Sequence, residues 1–210
     1  MKTLLSLYDY TGNWASPFAE AGWNVIMWDI KHQPDYFSKH QNIMDASADY
    51  LYEHIFDNYG TVDGILAAQP CTDFAVSGAR WFAEKDASGQ TEFSIQMVWQ
   101  TLRIVDLCMP DFWSLEQPIS RIHNLVPELG KPKMYFNPCD FGDPYTKKTA
   151  LYGEFNTNLE KTPVEPTEGS KMHRLYGGKS ERTKAMRSAT PMGFARAFYK
   201  ANKEFKISYA

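Results

Sequence analysis

Residues 62–72 read Val-Asp-Gly-Ile-Leu-Ala-Ala-Gln-Pro-Cys-Thr, a short apolar run that passes directly into a proline and a cysteine. The run has the length of a buried strand, and the proline marks the loop that follows it. The sequence therefore predicts a strand over 62–68 with Cys71 in the next loop, where its thiol can face a cleft. The alternative is an ordinary buried thiol, since free cysteines are among the most buried residues.

A second apolar run ends in a carboxylate. In Leu115-Glu116-Gln117-Pro118 the acid closes a predicted strand over 112–115. Because strand ends in an open α/β sheet converge on one crevice, we expect Cys71 and Glu116 to lie over the same pocket. A nucleophile and an acid over one pocket indicate covalent catalysis. The alternative for Glu116 is a side chain that only caps the next turn.

Strand and helix patterns alternate along the chain. Strands are predicted at 4–8, 23–28, 62–68, 112–115, 133–137 and 149–152, and helices at 13–21, 47–58, 93–109, 122–129 and 190–202. The segment 153–185 contains prolines, glycines and charges with little periodicity, which predicts an extended loop. The alternation predicts a single α/β domain over 1–210, with a mostly parallel sheet wrapped by helices.

The first strand, turn and helix have features of a cofactor site. The turn Asp9-Tyr10-Thr11-Gly12-Asn13 contains a glycine, which allows a ligand to approach the backbone. Asp29 closes the second predicted strand, 17 residues after Gly12, and an acid at that place can bind a ribose diol. One glycine is a weak fingerprint by itself.

The composition favours an ordered, soluble protein. Hydrophobic residues make up 43% and aromatic residues 15% of the 210 residues. No segment reaches the ~20 apolar residues of a membrane span, and the stretch at 4–7 is too short for a signal peptide. The cysteines are odd in number and far apart, and no Cys or His spacing suggests zinc: Cys71, Cys108 and Cys139. We expect a cytoplasmic protein with no metal and no membrane contact.

The charge is unevenly distributed. The net charge of −3 argues against a general nucleic-acid binder. Residues 1–60 hold three Lys and eight Asp or Glu, whereas 171–187 hold six Lys or Arg against one Glu. The basic stretch could neutralise several phosphates, and the alternative is a solvated loop with incidental charge.

Seven segments, taken in order, carry a resemblance to a known family. They are 6–14, 28–30, Asp45, 69–78, 116–118, 143–149 and 187–195. Together they resemble the motifs of the cytosine-C5 methyltransferases, in particular the compact forms common in bacteriophages. In this resemblance 69–78 is similar to the nucleophile loop, 143–149 to the basic strand near the base, and 187–195 to the last motif. The match covers nearly the whole chain.

The resemblance implies a Rossmann-like, S-adenosylmethionine-dependent methyltransferase fold with helices on both faces of the sheet. It implies methyl transfer to C5 of cytosine in DNA, in a prokaryotic or phage-infected cell. In the family's mechanism, carried onto this chain, Cys71 attacks C6 while Glu116 hydrogen-bonds N3 and the exocyclic amine. A thiolate is needed because cytosine C5 is a poor nucleophile until something adds at C6.

The resemblance also assigns contact residues. It implies cofactor contacts from the turn, the second strand end, the nucleophile loop and the last motif: Tyr10, Thr11, Gly12, Asn13, Trp14, Asp29, Ile30, Asp45, Pro70, Ser188 and Thr190. It implies substrate contacts for Ser77, Lys147 and Lys148, with the two lysines as candidates for DNA phosphates. Trp14 also suits a hydrophobic core, and the two lysines also suit a solvated edge strand.

Four residues depart from the family's motifs. Ser6 stands where many relatives carry Asp, Tyr10 replaces a glycine of the cofactor loop, and Gln69 replaces the first proline of Pro-Pro-Cys. Gln117 replaces the Asn after the catalytic Glu, which normally braces the loop, and is one methylene longer.

The largest departure is an absence. Members that choose a DNA sequence have a target-recognition domain between the basic strand and the last motif, and the loop 153–185 is too short for one. Specificity is then minimal, supplied by a DNA-recognition partner protein, or directed to another substrate. Two alternatives follow: a catalytically weak S-adenosylmethionine-binding subunit with a DNA-reading partner, and an enzyme acting on free cytidine nucleotides.

Overall fold

The computed structural model describes residues 1–29, 40–41, 48–170 and 186–209. Its strands are β1 Thr3–Leu7, β2 Asn24–Trp28, β3 His40–Gln41, β4 Gly64–Ala67, β5 Phe112–Pro118, β6 Met134–Phe136 and β7 Thr149–Glu154. They form one sheet in the order β3-β2-β1-β4-β5-β7-β6. The first five strands in this order are parallel to one another, and β7 is antiparallel to both β5 and β6. The predicted mostly parallel α/β sheet is confirmed.

The central strands are buried on both faces, which is why they read as continuous apolar runs rather than as alternating ones. Successive side chains of a strand point to opposite faces. Leu5 and Leu7 of β1 therefore enter one core together with Ile65 of β4. Leu4 and Leu66 enter a second core on the other face.

Helices cover both cores, as the resemblance implies. Their bounds are α1 Ser16–Glu20, α2 Ala48–Tyr59, α3 Phe82–Ala87, α4 Gln90–Cys108, α5 Ile122–Leu125 and α6 Met192–Asn202. α2 and α4 cover the face of Leu5, where Ile55 and Val98 are buried. α1 and α6 cover the face of Leu4, where Phe18 and Phe198 are buried. Among the described helices, none has both the length and the apolar character to cross a membrane.

The strand directions bring several loops to one side of the sheet. We call the side at which β1, β2, β4 and β5 end the carboxyl edge. Because β7 runs antiparallel to β5, with Pro118 opposite Thr149, the residues that precede β7 also lie at this edge. The carboxyl edge therefore gathers the residues after β1, β2 and β4, the end of β5, and the segment 143–148.

The opposite edge of the sheet receives both ends of the described chain. The Ile207 amide donates to the Asp111 carbonyl oxygen at 2.8 Å, just before β5 begins. The Tyr209 hydroxyl donates to the Pro110 carbonyl oxygen at 2.6 Å. Lys2, just before β1, forms an ion pair with Glu204 at 3.3 Å. The segment after α6 is thus fixed beside the first residues of β1 and β5.

Some predicted bounds are wrong in an informative way. β5 does not end at Leu115 but continues through Glu116 to Pro118, because these residues pair with β7. The predicted helix over 93–109 begins earlier, at Gln90, and α3 was not predicted. Residues 153 and 154 belong to β7, whereas 155–170 contain no helix and only isolated bridges, such as Thr146 with Ser170. The remaining part of the predicted loop, 171–185, lies outside the described residues.

Candidate active site

Cys71 lies at the carboxyl edge, four residues after the end of β4. Its carbonyl oxygen accepts hydrogen bonds from the amides of Phe74 at 3.1 Å and Ala75 at 2.9 Å, so the chain turns immediately after the cysteine. The thiol residue is partly exposed, and Pro70 before it is exposed. The nucleophile predicted from the sequence is therefore not sealed in the core.

The charges around Cys71 act in opposite directions on its pKa. Burial raises the pKa of the thiol most, and the carboxylate of Glu116 raises it further because two negative charges repel. Lys147 and Arg187 lower the pKa, because their positive charges favour the thiolate. Cys71 and Glu116 are thus coupled electrostatically, with two cations beside them.

Both oxygens of Glu116 have fixed partners. The carboxylate is buried within β5, with the residue 7% exposed. Lys147 donates to Oε1 at 3.3 Å, and the Thr190 hydroxyl donates to Oε2 at 3.1 Å. A buried acid held from two sides has a defined orientation.

The two lysines of the basic strand have different positions. The sequence predicts phosphate contacts for both, but the structure turns the Lys147 ammonium inward to Glu116, with its side chain 11% exposed. Lys148 is exposed, and its ammonium lies 5.6 Å from the ring centroid of Tyr135 on β6. Lys147 is therefore held inside the site by Glu116, whereas Lys148 faces solvent.

Two of the departures from the family's motifs contact each other. The side-chain amide of Gln117 donates to the carbonyl oxygen of Gln69 at 3.1 Å, which braces the nucleophile loop against β5. The Gln69 side chain in turn donates to the Met97 carbonyl oxygen at 2.9 Å and to the Thr101 hydroxyl at 2.7 Å, both on α4. The longer amide of Gln117 thus performs the bracing that the resemblance assigns to Asn.

A buried carboxylate holds the other side of the nucleophile loop. Asp73 accepts hydrogen bonds from Lys85 at 2.8 Å, Gln90 at 2.9 Å and Ser94 at 2.6 Å. Lys85 also donates to the Thr72 carbonyl oxygen at 2.6 Å. We call this set the loop clamp: Asp73, Lys85, Asp86, Gln90, Ser94 and Arg121.

Arg121 completes the loop clamp from the segment after β5. Its guanidinium donates to both oxygens of Asp86, at 2.9 and 2.6 Å, and to the Asp73 carbonyl oxygen at 3.2 Å. It also lies 3.6 Å from the ring centroid of Phe82. Hydrogen bonds from Arg121 and Thr91 lower the pKa of Asp86 to about 2. The sequence analysis missed this clamp, because its members are far apart in the chain and match no motif.

The turn after β1 has an unusual backbone. Tyr8 has φ +59°, a left-handed conformation that is rare for a bulky residue, and Gly12 has φ +68°. Leu7 pairs with Trp28, so Asp29 follows directly beside this turn at the carboxyl edge. The Asn13 side chain donates to the Thr190 carbonyl oxygen at 3.2 Å, which joins the turn to the last motif.

Asp9 is a site residue that the sequence analysis counted only as part of the turn. The residue is 4% exposed. Its carboxylate accepts hydrogen bonds from the Ser6 hydroxyl at 3.1 Å, the Thr11 hydroxyl at 3.3 Å and the Gly12 amide at 2.9 Å. Burial raises the pKa of Asp9 to about 6, and the charge of Glu116 adds to the rise. A clue was present in the sequence: Ser6 replaces the family's Asp, and an acid stands three residues later.

The other predicted contacts are distributed as follows. Trp14 is fully buried and packs against Phe194 and Phe198 at ring-centroid distances of 5.9 and 5.4 Å, so its side chain belongs to the core. Tyr10 and Thr11 are partly exposed in the turn, and Ser77 and Ser188 are exposed. Ile30, Asp45 and the basic stretch up to residue 185 lie outside the described residues.

No protein-family model matches the chain, and no curated protein matches it in sequence. Two solved structures have a similar fold. A prophage-encoded E. coli protein assigned as a DNA modification methyltransferase has a TM-score of 0.51 and 18% identity, over 77% of this chain and 49% of that one. The Entamoeba histolytica methyltransferase EhMeth has a TM-score of 0.52 and 14% identity, over 79% of this chain and 57% of that one. The fold is that of a Rossmann-like methyltransferase.

The chain spans only about half the length of these two methyltransferases, 49% and 57%. At identities of 18% and 14% the likeness establishes the fold alone. The activity has to be argued from the residues at the carboxyl edge.

Proposed function

We propose that this chain transfers a methyl group from S-adenosylmethionine to C5 of cytosine in DNA, as a member of the cytosine-C5 methyltransferase family. One observation carries the proposal: Glu116 is at the end of β5 and Cys71 follows β4 at the same carboxyl edge, where Lys147 donates to Glu116 and the charges of both residues act on the thiol. A partly exposed thiol next to an oriented buried acid is the arrangement that covalent activation of a base requires.

The residues at the ends of β1 and β2 suit S-adenosylmethionine. The turn 9–13 has a glycine at positive φ, so its backbone can approach a ligand closely. Asp29 follows the neighbouring strand and offers a carboxylate to a ribose diol. The hydrogen bond from Asn13 to Thr190 joins the turn to the last motif. Thr190 directly precedes Pro191, the N-cap residue of α6. When bound, the cofactor supplies a methyl group to C5 of the base.

The protein's own residues perform the remaining chemistry. The Cys71 thiolate adds to C6, which forms the C6–S bond and makes C5 an electron-rich enamine carbon. Glu116 acts as the acid: it donates a proton to N3 as negative charge develops there, and its other oxygen accepts a hydrogen bond from the exocyclic amine. After methyl transfer, a water molecule accepts the proton from C5. The electron pair of the C5–H bond then re-forms the C5–C6 double bond, the Cys71 thiolate leaves C6, and the proton on N3 returns to Glu116.

Lys147 has two roles in this scheme. Its ammonium holds one oxygen of Glu116, and its charge favours the thiolate of Cys71. An unperturbed thiol is only a few per cent ionised at pH 7, and burial lowers that fraction here. The cations Lys147 and Arg187 therefore offset part of what burial removes.

Two observations support DNA as the substrate. Lys148 is exposed at the carboxyl edge beside the exposed ring of Tyr135. The ammonium suits a DNA phosphate, and the ring suits stacking on a base. One of the two structural neighbours is assigned as a DNA modification methyltransferase. A base within a duplex would have to leave the stack to reach Cys71, which costs a few kcal/mol.

The test uses S-adenosylmethionine with a tritiated methyl group and mixed-sequence DNA. We expect label in DNA with the wild type and none with Cys71→Ser. Cys108→Ser is the matched control, since that thiol lies at the end of α4 and its variant should keep the activity. Label that persists in Cys71→Ser would refute the covalent mechanism.

A second candidate function is a cofactor-binding subunit that needs a DNA-reading partner protein. The observation in its favour is that 155–170, between β7 and the last motif, has no helix and no paired strand that could form a recognition module. Cofactor binding without transfer to any DNA by the isolated chain would favour this candidate. Transfer to deoxycytidine monophosphate in the absence of DNA binding would instead favour a nucleotide enzyme.

A further inference from the structure

The carboxylate of Asp9 ties together three parts of the turn between β1 and α1. Ser6 donates to it from within β1, Thr11 from the crest of the turn, and the Gly12 amide from the side that leads into α1. A second hydrogen bond joins the Gly12 amide to the Asp9 carbonyl oxygen at 3.2 Å. One side chain thus fixes the path of the chain on both sides of Tyr10.

The turn needs these contacts because its own residues do little to favour its backbone conformation. Gly12 is the one glycine between residues 6 and 14, and the bulky Tyr8 adopts the left-handed conformation. A non-glycine residue in that conformation costs of order 1–3 kcal/mol and persists only when its surroundings hold it. The three hydrogen bonds to Asp9 are contacts that hold this turn.

We propose that Asp9 is a positioning residue of the cofactor loop, and that its ionised carboxylate keeps residues 9–13 in the shape that receives S-adenosylmethionine. The inference rests on the cofactor assigned under the proposed function and adds a residue to it. Asp9 acts through the backbone it holds, since its oxygens are occupied by Ser6, Thr11 and Gly12.

The three hydrogen bonds that Asp9 accepts favour its ionised form over its protonated form. A carboxylate can accept from two hydroxyls and an amide, whereas a protonated acid presents a proton to groups that are themselves donating. Burial nevertheless raises the pKa of Asp9 to about 6. Glu116 on β5 faces it with a like charge, and Lys147 compensates Glu116 from the other side. The carboxylate is therefore lost over the pH range just below neutrality.

Cofactor affinity should follow this ionisation. If only the ionised loop receives the cofactor, the apparent Kd rises as the ionised fraction falls. With a pKa of about 6, the fraction falls about tenfold between pH 7 and pH 5. The affinity should weaken by the same factor and level off above pH 7.

The experiment is isothermal titration calorimetry of the full chain with S-adenosylmethionine and with S-adenosylhomocysteine from pH 5 to pH 7.5. We expect the wild type to bind both ligands about tenfold more weakly at pH 5 than at pH 7. Asp9→Asn mimics the neutral acid, so it should bind at every pH more weakly than the wild type does at pH 5, where about a tenth of the protein is still ionised. Glu116→Gln removes the like charge and should move the transition to lower pH.

The matched control is Asp57→Asn, which removes an exposed carboxylate from α2 and should keep the wild-type pH dependence. A wild type whose affinity is flat over this range would overturn the inference. An Asp9→Asn variant that retains the pH dependence would overturn it as well. A dependence seen with S-adenosylmethionine but not with S-adenosylhomocysteine would show direct attraction of the sulfonium charge, and the positioning role would be wrong.

Failure of this inference is distinguishable from failure of the proposed function. If the wild type binds neither ligand at any pH, the cofactor assignment itself is refuted. If it binds both with no influence of Asp9, the cofactor stands and only the role of Asp9 is lost. Thermal unfolding of each variant at each pH verifies that the titrated protein is folded.

Discussion

The thiol of Cys71 is controlled by single charges that can be removed one at a time. Glu116 raises its pKa, whereas Lys147 and Arg187 lower it. Glu116 and Lys147 also bind each other at 3.3 Å. Substitution of either partner therefore changes thiol reactivity directly, and the two substitutions should act with opposite sign.

The opposite effects of the two substitutions should be visible in the rate of iodoacetamide alkylation at pH 8. The rate is measured in a protein that also carries Cys108→Ser and Cys139→Ser, so that Cys71 is the remaining thiol. Lys147→Gln raises the pKa of Cys71 and should slow alkylation, and Glu116→Gln lowers it and should accelerate alkylation. We expect about threefold to tenfold in each direction, since one pKa unit changes the thiolate fraction tenfold. Lys148→Gln is the control and should leave the rate unchanged, because that lysine is turned outward. Equal effects of the two lysines would contradict the assigned geometry.

Asp9 should cost the protein stability at neutral pH. Its folded pKa of about 6 lies above its ordinary value of 3.8, so between these values the native state binds more protons than the unfolded state. Stability therefore falls as the pH rises through that window. Between pH 4 and pH 7.5, Asp9 should contribute a fall of roughly 1–3 kcal/mol to the free energy of unfolding of the wild type, and Asp9→Asn should lack this contribution. Urea denaturation of both proteins at both pH values measures the difference, and an equal pH dependence in the two would disprove it.

The nucleophile loop is held by secondary-structure elements on both of its sides. The Gln117–Gln69 contact braces it against β5, and the loop clamp ties it to α3 and α4. A loop with this many fixed contacts presents its cysteine in one orientation before any substrate arrives, which reduces the reorganisation that the reaction requires.

Asp73 should be the residue on which this arrangement depends most. Asp73→Ala removes a buried acceptor of three hydrogen bonds and leaves the ammonium of Lys85 poorly compensated, so we expect a loss of about 2–4 kcal/mol in the free energy of unfolding. Asp86→Ala is the matched control from the same clamp. Its carboxylate is largely exposed, at 46%, and its loss should be markedly smaller. Urea denaturation compares the two, and a reversed order would refute the assignment.

The strands and the turn after β1 differ in how far the sequence alone could predict them. Runs such as 64–68 contain only glycine and apolar residues, so the strands buried on both faces were predictable, and their order placed Cys71 at the carboxyl edge. The extension of β5 through Glu116 and Gln117 was not predictable, because it depends on pairing with β7, more than 30 residues later. The role of Asp9 was hidden for a related reason: its position in a turn suggests exposure, and only the folded chain shows its burial.

The whole molecule is built, in its described residues, on one seven-stranded sheet with helices on both faces. It spans 49% and 57% of two structural neighbours, and the described residues 155–170 lie along the segment before β7 as an extended chain. A DNA enzyme of this form would rely on contacts to phosphates, which position a protein on DNA without reading its sequence.

Methylation by the isolated chain should therefore be spread over many sequence contexts. Bisulfite sequencing of unmethylated plasmid DNA after incubation with the enzyme should show modified cytosines with no dominant flanking sequence. The reaction should weaken strongly between 50 mM and 200 mM salt, as expected where phosphate contacts supply the affinity. Cys71→Ser provides the background for the sequencing. A single modified motif would show that the chain contains a reading element of its own.

Residues 207 and 209 are bound beside Pro110 and Asp111, and Lys2 is held by Glu204, on the side of the sheet away from Cys71. A tether attached at residue 2 or residue 209 would therefore leave the carboxyl edge open to solvent. The chain can be anchored to a sensor surface, or joined to an engineered DNA-targeting module through a flexible linker, without blocking the approach of a nucleic acid to the thiol.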